Sequence, residues 1–489
     1  MVVVNAREGT ELLAPPPPLD PLDDVGAAVA EALRFPLSGP ALEQVTSPGG
    51  RATIVVEPPS LPLPGTPHDP RQEALACVVE ELERAGVRRE RQTILVAGGL
   101  ERRAGRRNLE RLLRPDRARA FRGSVVVHDC EDESLRPLGA AGGLPLRVHA
   151  ALLETDLVIV VTAAETVLHG GPAALLAAGA AGALRAATAE SLLEPATARG
   201  WELALAVEEA LAGSVPLVGL SLVLDHPRFD GLLRGYPWSE QARRRVLRSP
   251  LRVLVSAAPA SVRRRAFQAT QRELHAVAAL AGPPSVAHAE ALLRGVAVRG
   301  AGLTAPLDAI VVPVPWKPAH QPREPLNPIT ASAVGLGLAL RLWRGAPPLA
   351  PGGTIVLLHG FGRTFGHGPQ APYRALFNAL RQDRAPGALA AAEREAWAEP
   401  KAIAAYRAGH APHPLLPYAD WAGCAPALSL AGRVIVGGCR DGGTARALGF
   451  VPSHSATAAL EMARGLAGEG GRAGVLLAPP YAPLLAAGD

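Results

Sequence analysis

The sequence predicts an α/β protein made of two α/β domains, with mostly parallel sheets that face a central cleft. Short runs of β-branched residues alternate with segments of helical periodicity along the whole chain. The length of 489 residues exceeds that of one compact core. An apolar fraction of 48% against a charged fraction of 19% supports packed cores and excludes wholesale disorder. We predict the two domains at residues 1–250 and 251–489.

The first domain is predicted to begin with an irregular lead-in at residues 1–50, which contains the tetraproline Pro15–Pro18. Buried strands are expected where β-branched and aliphatic residues run together, at 51–57, 93–97, 124–129, 156–161 and 221–225. Helical periodicity predicts the connecting helices at 71–86, near 103–114, at 172–186 and at 200–212.

The second domain repeats this alternation after the basic stretch Ala242–Arg252, which is expected close to the boundary. Strands are predicted at 251–257, 308–315, 354–360, 433–438 and 473–479. Helices are predicted at 260–281, 329–343 and 456–465. Residues 384–425 are the least periodic part and are expected to form a helical insertion or a long loop.

Composition narrows the class of protein. The longest apolar stretch, Ala173–Leu184, is shorter than the roughly 18 residues of a membrane span, and the start of the chain lacks the pattern of a signal peptide. We expect a cytoplasmic protein with reduced cysteines, and neither a membrane nor a nucleic-acid partner. Lys317 and Lys401 are the only lysines, so residues 1–316 offer no side-chain primary amine.

Motifs of common enzyme classes are weak. The segment TIVLLHGFGR (354–363) is similar to the strand and oxyanion loop of α/β-hydrolases, but the sequence has no G-x-S-x-G nucleophile turn. The Gly-rich loop GGCRDGG (437–443) follows a predicted strand and could offer backbone amides to an anion. Nine arginines among residues 101–122 are interpreted as a solvated helix face. No HExxH zinc motif occurs.

Several segments, in the same order along the chain, resemble the nickel-dependent lactate racemase family. They are TILVAGGLERR (93–103), VVVHDCEDESLRPLG (125–139), GGLPLRVHAALLETDLVIVV (142–161) and AAETVLHGGPAALLAAGAAG (163–182). The resemblance spans most of the chain, and it implies the two-domain fold and 2-hydroxy acid chemistry.

The resemblance breaks down at the reactive positions. The family tethers a nickel pincer nucleotide to a lysine, completes the nickel site with a histidine, and uses two other histidines as acid and base. The matching positions are Glu101 and Val167 for the acid and base, Ala177 for the lysine and Leu193 for the nickel ligand. The sequence thus predicts a divergent member without cofactor-binding or metal-binding residues, in which the pincer is implied by resemblance alone.

Two functions remain open. The chain is either a pseudoenzyme, acting as a binding or regulatory subunit for a true racemase or a cofactor-pathway protein, or an active racemase or epimerase with a rebuilt site. In the second case Glu101 acts as base and His169 as a displaced acid on a small 2-hydroxy acid or related carboxylate. Arg102 and His128 would then bind the substrate, with support of its loop as the other interpretation of His128.

Overall fold

The computed structural model describes residues 9–58, 69–105, 112–113, 115–259, 262, 272–315, 326–366 and 368–486. Its strands, in chain order, are β1 (Glu11–Leu13), β2 (Ala52–Val56), β3 (Gln92–Val96), β4 (Ser124–Val127), β5 (Arg136–Ala141), β6 (Leu144–Val148), β7 (Leu157–Ala163), β8 (Leu217–Leu224), β9 (Arg228–Phe229), β10 (Arg272–Glu273), β11 (Ala276–Gly282), β12 (Ala301–Leu303), β13 (Leu307–Pro313), β14 (Trp343–Arg344), β15 (Leu349–Leu358), β16 (Ala431–Gly437), β17 (Val451–Ser453), β18 (Ala473–Leu476) and β19 (Leu484–Ala486).

The α-helices connect these strands and cover the sheets. In chain order they are α1 (Val25–Arg34), α2 (Leu42–Val45), α3 (Pro70–Arg84), α4 (Pro115–Ala120), α5 (Pro172–Ala177), α6 (Ala181–Ala186), α7 (Arg199–Ala212), α8 (Glu240–Arg248), α9 (Pro250–Ala257), α10 (Pro284–Arg299), α11 (Pro328–Ser332), α12 (Ala371–Gln382), α13 (Pro386–Ala398), α14 (Pro400–Arg407), α15 (Leu416–Ala422), α16 (Ala425–Leu430), α17 (Gly442–Ala447) and α18 (Ala456–Ala467). Within the described residues, no helix is both long enough and apolar enough to span a membrane.

The first sheet has the strand order β11-β8-β7-β2-β3-β4. All neighbours are parallel except β11, which runs antiparallel to β8. Its central strands are near-continuous apolar runs because helices cover both faces. In β2, for example, Ile54 packs into the core on the side of α1 and α3, whereas Val55 packs into the core under α5 and α7.

The second sheet has the order β1-β18-β13-β15-β16-β17 and is parallel throughout. Helix α18 covers one face of this sheet. The opposite face packs into a large apolar cluster that also contains residues of the first half of the chain. The predicted α/β architecture with mostly parallel sheets is confirmed. The predicted boundary near residue 250 stays a prediction; β11 (Ala276–Gly282) joins the first sheet and β1 (Glu11–Leu13) joins the second.

Helices α12 to α16 lie between β15 and β16 along the chain, which confirms the helical-insertion alternative for residues 384–425. This insertion contacts the first half of the chain directly. Tyr406 of α14 packs with Leu100 and Cys130, and its hydroxyl donates a hydrogen bond to the Gly99 carbonyl at 3.2 Å. The insertion therefore lies against the loop after β3.

Two predictions at the start of the second domain are wrong. The segment 251–257 is not a strand but helix α9, which begins with Pro250 in its first turn, a position that suits proline. The predicted helix over 260–281 is wrong at its end, where β11 (Ala276–Gly282) pairs with β8. A run of small and aliphatic residues does not distinguish helix from strand until a partner strand supplies hydrogen bonds.

The predicted irregular lead-in over residues 1–50 is also wrong. It contains β1 and the helix α1, which starts at the N-cap Asp24 and buries Val29 and Leu33, four residues apart. The helix expected near 103–114 falls largely outside the described residues, since 106–111 and 114 are not described.

Candidate functional site

The carboxyl edge of the first sheet collects polar side chains from successive strands. Glu57 follows β2, Glu101 lies in the loop after β3, His128 follows β4, Glu165 follows β7 and Asp225 follows β8. Ligands of parallel α/β sheets bind at this edge, because the loops after the strands converge there. We therefore take this edge as the candidate site.

Glu57 and His169 form the centre of this edge. A Glu57 carboxylate oxygen, Oε1, lies 3.7 Å from His169 Nδ1, and the Gly170 amide donates a hydrogen bond to the other, Oε2, at 2.5 Å. The Glu57 side chain is only 8% exposed, whereas that of His169 is 45% exposed. Glu57 is thus fixed by the protein, and the imidazole is accessible to a ligand.

The surroundings raise the pKa of His169. Burial lowers the pKa of this imidazole, but the contact with Glu57 and the negative charges of Glu57, Glu101 and Glu165 outweigh that effect. The net result is a pKa above the ordinary histidine value. His169 therefore retains its proton to higher pH than a free imidazole does, as a general acid requires.

The turn after His169 is built from two glycines for a steric reason. Gly170 and Gly171 have φ values of +88° and +53°, in the left-handed region. A Cβ on either residue would lie 2.3 Å from the buried side chain of His288. The Gly171 amide also donates to Thr162 Oγ1 at 3.0 Å. These contacts hold the His169 loop in one position at the start of α5.

Arg71 brings a cation to the same edge. Its guanidinium contacts Asp69 at 2.7 Å and Glu165 at 3.3 Å. Burial lowers the pKa of Arg71, but the two carboxylates raise it by a larger amount, so the net shift of the pKa is upward. The Glu165 side chain is 6% exposed, so this ion pair is mostly shielded from water.

The negative charge of Glu101 influences groups in both halves of the chain. Besides acting on His169, its charge acts on Tyr373 of α12, whose hydroxyl donates a hydrogen bond to Asp420 at 2.6 Å. Burial, Asp420 and Glu101, in that order, hold the pKa of Tyr373 well above its usual value. The insertion thus contributes the Tyr373–Asp420 pair to the surroundings of Glu101.

The other two predicted site residues make contacts within the protein. Arg102 Nε donates to the Gly409 carbonyl at 2.6 Å, which ties it to the insertion. His128 is 2% exposed, with Nε2 2.8 Å from the Gly179 carbonyl oxygen, and burial lowers its pKa to about 4. The structure places Glu101 near enough to His169 for its charge to raise the pKa of the imidazole. The substrate-binding roles of Arg102 and His128 stay predictions.

Contacts of Glu131 and Asp129, beside the site, hold the insertion in place. Glu131 accepts hydrogen bonds from Trp397 Nε1 at 2.7 Å and contacts His413 Nε2 at 3.0 Å. Asp129 pairs with Arg407 at 3.3 Å. The loop after β4 therefore binds three elements of the insertion, and these contacts hold the insertion against the first half of the chain.

Apolar side chains fill the positions where the resemblance would need reactive groups. Val167, Ala177 and Leu193 are 0%, 8% and 3% exposed and belong to hydrophobic clusters. None can donate electrons to nickel or form a bond to a nucleotide. Within the described part of the chain, no group of three His, Cys, Asp or Glu side chains could hold a metal ion. The residues present do not fit a tethered nickel pincer.

Four residues of this site, Glu57, Arg71, Tyr373 and Asp420, are not predicted from the sequence. Glu57 was placed inside the predicted strand at 51–57, although a carboxylate directly after a buried strand is a usable signal. Arg71 lies in the first turn of α3, next to its N-cap Asp69. Tyr373 and Asp420 carry no local signal, because only the folding of the insertion brings them near Glu101.

The architecture is shared with known proteins. The lactate racemase apoprotein from Thermoanaerobacterium thermosaccharolyticum superposes with a TM-score of 0.63 at 13% identity, covering 99% of this chain and 97% of that one. A structural-genomics protein from Thermotoga maritima superposes with a TM-score of 0.52 at 12% identity, covering 96% and 99%. The chain therefore has a lactate racemase-like α/β fold over nearly its whole length.

The sequence of the first third of the chain also matches a known family. Residues 3–170 match the family model of the lactate racemase N-terminal domain. No curated protein matches the sequence. Together with the shared fold, this match confirms the predicted resemblance to the lactate racemase family.

Proposed function

We propose that this chain is a cytoplasmic member of the lactate racemase family that works without tethered nickel-pincer chemistry, as a pseudoenzyme with a binding or regulatory role. The observation that carries the proposal is the buried apolar filling at Val167, Ala177 and Leu193. Tethering needs a nucleophilic amine, and arginine, the main cation of this chain, does not deprotonate. The first 316 residues contain no lysine at all.

The proposed ligand is a small 2-hydroxy acid or a related carboxylate, bound at the carboxyl edge. The accessible imidazole of His169 supplies a hydrogen-bond donor, and Arg71 supplies a guanidinium that could exchange Glu165 for a ligand carboxylate. The proposed macromolecular partner is a true racemase or a protein of the cofactor pathway.

The test is to purify the chain from cells that make the pincer cofactor, alongside an active lactate racemase as the positive control. Intact mass should show no adduct on this chain, nickel should be well below one equivalent, and D- and L-lactate should not interconvert. The active racemase should be recovered in pull-downs. A covalent adduct together with stoichiometric nickel and racemisation would overturn the proposal.

A second candidate function is proton-transfer catalysis by a rebuilt site, with Glu101 as base and His169 as acid. The raised pKa of His169 and its half-exposed ring favour it. The acid and base would then belong to the same edge of the sheet, on the loops after β7 and β3, the two strands that flank β2.

This alternative predicts exchange of the substrate hydrogen with solvent. Incubation of 2-hydroxy acids in deuterated water should give deuterium at the carbon that bears the hydroxyl, detected by NMR. Glu101→Gln and His169→Asn should each abolish the exchange, while Glu461→Gln on the exposed face of α18 should not change it. Absence of exchange with a panel of 2-hydroxy acids would leave the binding role.

A further inference from the structure

The positive charge of this chain is concentrated in one segment. Residues 241–272 contain nine arginines and no aspartate, glutamate or lysine. The whole chain has a formal net charge of +5, so subtracting these nine charges leaves −4 for the rest. The segment includes α8 and α9. The proposed function uses none of it.

Helix α8 is anchored to the protein on one side only. Ala242 and Val246 are buried, 3% and 4% exposed, and Arg243 donates to the Pro237 carbonyl at 2.8 Å. Arg244, on the other side, is 66% exposed and pairs with Glu240 at 2.6 Å. Leu247 and Arg248, near the end of α8, are also exposed.

The exposed side of this segment is apolar as well as basic. Leu247, Leu251, Leu254 and Val262 are 50%, 53%, 67% and 53% exposed. Among the described residues, only Leu19 and Phe35 of the other large apolar side chains are exposed to the same degree. Leu251 and Leu254 lie three residues apart in α9 and therefore share a face. Such a concentration of exposed apolar side chains marks a contact surface.

We propose that α8 and α9 bind the surface of a bilayer containing anionic phospholipids, with Arg244, Leu247, Arg248, Leu251 and Leu254 as the membrane-binding surface. Arginines attract anionic headgroups, and leucines insert at the boundary with the acyl chains. The residual negative charge of the rest of the chain favours the orientation in which this surface faces the membrane. The binding is peripheral, so it requires no spanning segment.

The geometry favours a bilayer over a protein groove or a nucleic acid. Ser249 has extended backbone angles between α8 and α9, so the two helices do not form the single continuous helix that fills a groove. Exposed leucines contribute nothing to binding phosphates of a nucleic acid, whereas they gain free energy in a bilayer. The absence of a membrane partner is predicted from the lack of an apolar segment long enough to span a bilayer. Peripheral binding does not need such a segment.

The experiment is co-sedimentation of the full chain with phosphatidylcholine vesicles, with and without phosphatidylglycerol. We expect binding only to the anionic vesicles, weakened by added salt. Leu254→Glu should reduce the affinity at least about tenfold because an apolar side chain is lost from the lipid. Arg248→Gln should reduce it about fivefold. Leu466→Glu and Arg394→Gln, at exposed positions of α18 and α13, are matched controls that should leave it unchanged.

Circular dichroism and thermal unfolding of each variant show whether the fold is intact; an unfolded variant is replaced by Leu251→Gln. The proposal is overturned if the wild-type chain does not bind anionic vesicles, or if Leu254→Glu and its matched control bind equally. A salt-sensitive dimer that Leu254→Glu dissociates, without vesicle binding, would assign the surface to a second copy. Binding to RNA in place of vesicles would also overturn it.

Discussion

Two parts of one loop after β7 differ sharply in character. Val167 is completely buried in the large apolar cluster between the two halves of the chain, and its amide donates to the Leu192 carbonyl at 2.8 Å. His169, two residues later, contacts Glu57 and is open to solvent. The same backbone therefore carries an apolar interior and a polar edge. The comparison teaches that this fold is maintained by its strands and clusters, while the chemistry depends on single loop side chains.

The largest effect on stability is expected from placing a histidine at the buried position 167. Val167→His would force a larger polar ring into a fully buried position, costing about 4 kcal/mol of unfolding free energy from overpacking and an unpaired polar group. Urea unfolding measures this. Leu466→His, at a 48% exposed position of α18, should change it by less than about 0.5 kcal/mol. Equal stability of both variants would contradict the packed apolar interior.

The next effect concerns His128, which is buried and neutral. Its pKa of about 4 lies below the ordinary value of 6.5, so the unfolded chain binds more protons between these values. Stability from His128 is present above pH 6.5 and is lost as the pH falls toward 4, by about 3 kcal/mol in all. Urea unfolding of His128→Gln across this range should show a weaker pH dependence than the wild type. An unchanged slope would show that His128 is accessible.

A smaller effect is expected from breaking the ion pair of the polar edge. Arg71→Met removes the guanidinium beside Asp69 and the mostly buried Glu165, and we expect a loss of about 2 kcal/mol in thermal or urea unfolding. Arg84→Met is the matched control, since Arg84 in the pair with Glu81 is 60% exposed and should contribute about 0.5 kcal/mol or less. Similar losses in both variants would mean that the polar edge is open to water.

The smallest effect is the pH response of His169. Its folded pKa is raised, so its contribution to stability is present below the ordinary value of 6.5 and is lost as the pH rises through the folded value. Glu57→Gln should lower the pKa of His169, measured by NMR titration of its ring protons. Glu461→Gln, on exposed α18, should not move it. Water screens the half-exposed ring, so the change in stability is minor. If the pKa of His169 is the same in Glu57→Gln as in the wild type, Glu57 does not interact with the imidazole.

The central strands of both sheets could be predicted because each is a run of β-branched and aliphatic residues. The runs at 52–56, 92–96 and 157–163 are buried on both faces, so their pattern survives any detail of topology. The segments around residue 250 could not be predicted in this way. Helix α9 and strand β11 are both rich in small and aliphatic residues, and their neighbours decided which structure each adopts.

Glu101 and His169 could be found from the sequence because each follows a predicted strand and the resemblance marks both segments. Glu57 escaped since the strand prediction included it. The Tyr373–Asp420 pair had no signal, because α12 and α15 are separated from Glu101 by more than two hundred residues along the chain. Such contacts depend on how the insertion folds back over the loop after β3.

The sequence by itself predicts the α/β fold from local patterns, and it shows that no side-chain amine for tethering a nucleotide precedes Lys317. The resemblance of its segments adds the lactate racemase kind of α/β fold. The folded arrangement establishes which side chains share a site. It turns Val167 into the interior and His169 outward, and it brings Glu57 and Glu101 near the imidazole. The reason is physical: strand patterns are local, whereas burial and electrostatic interactions depend on distances between residues remote in sequence.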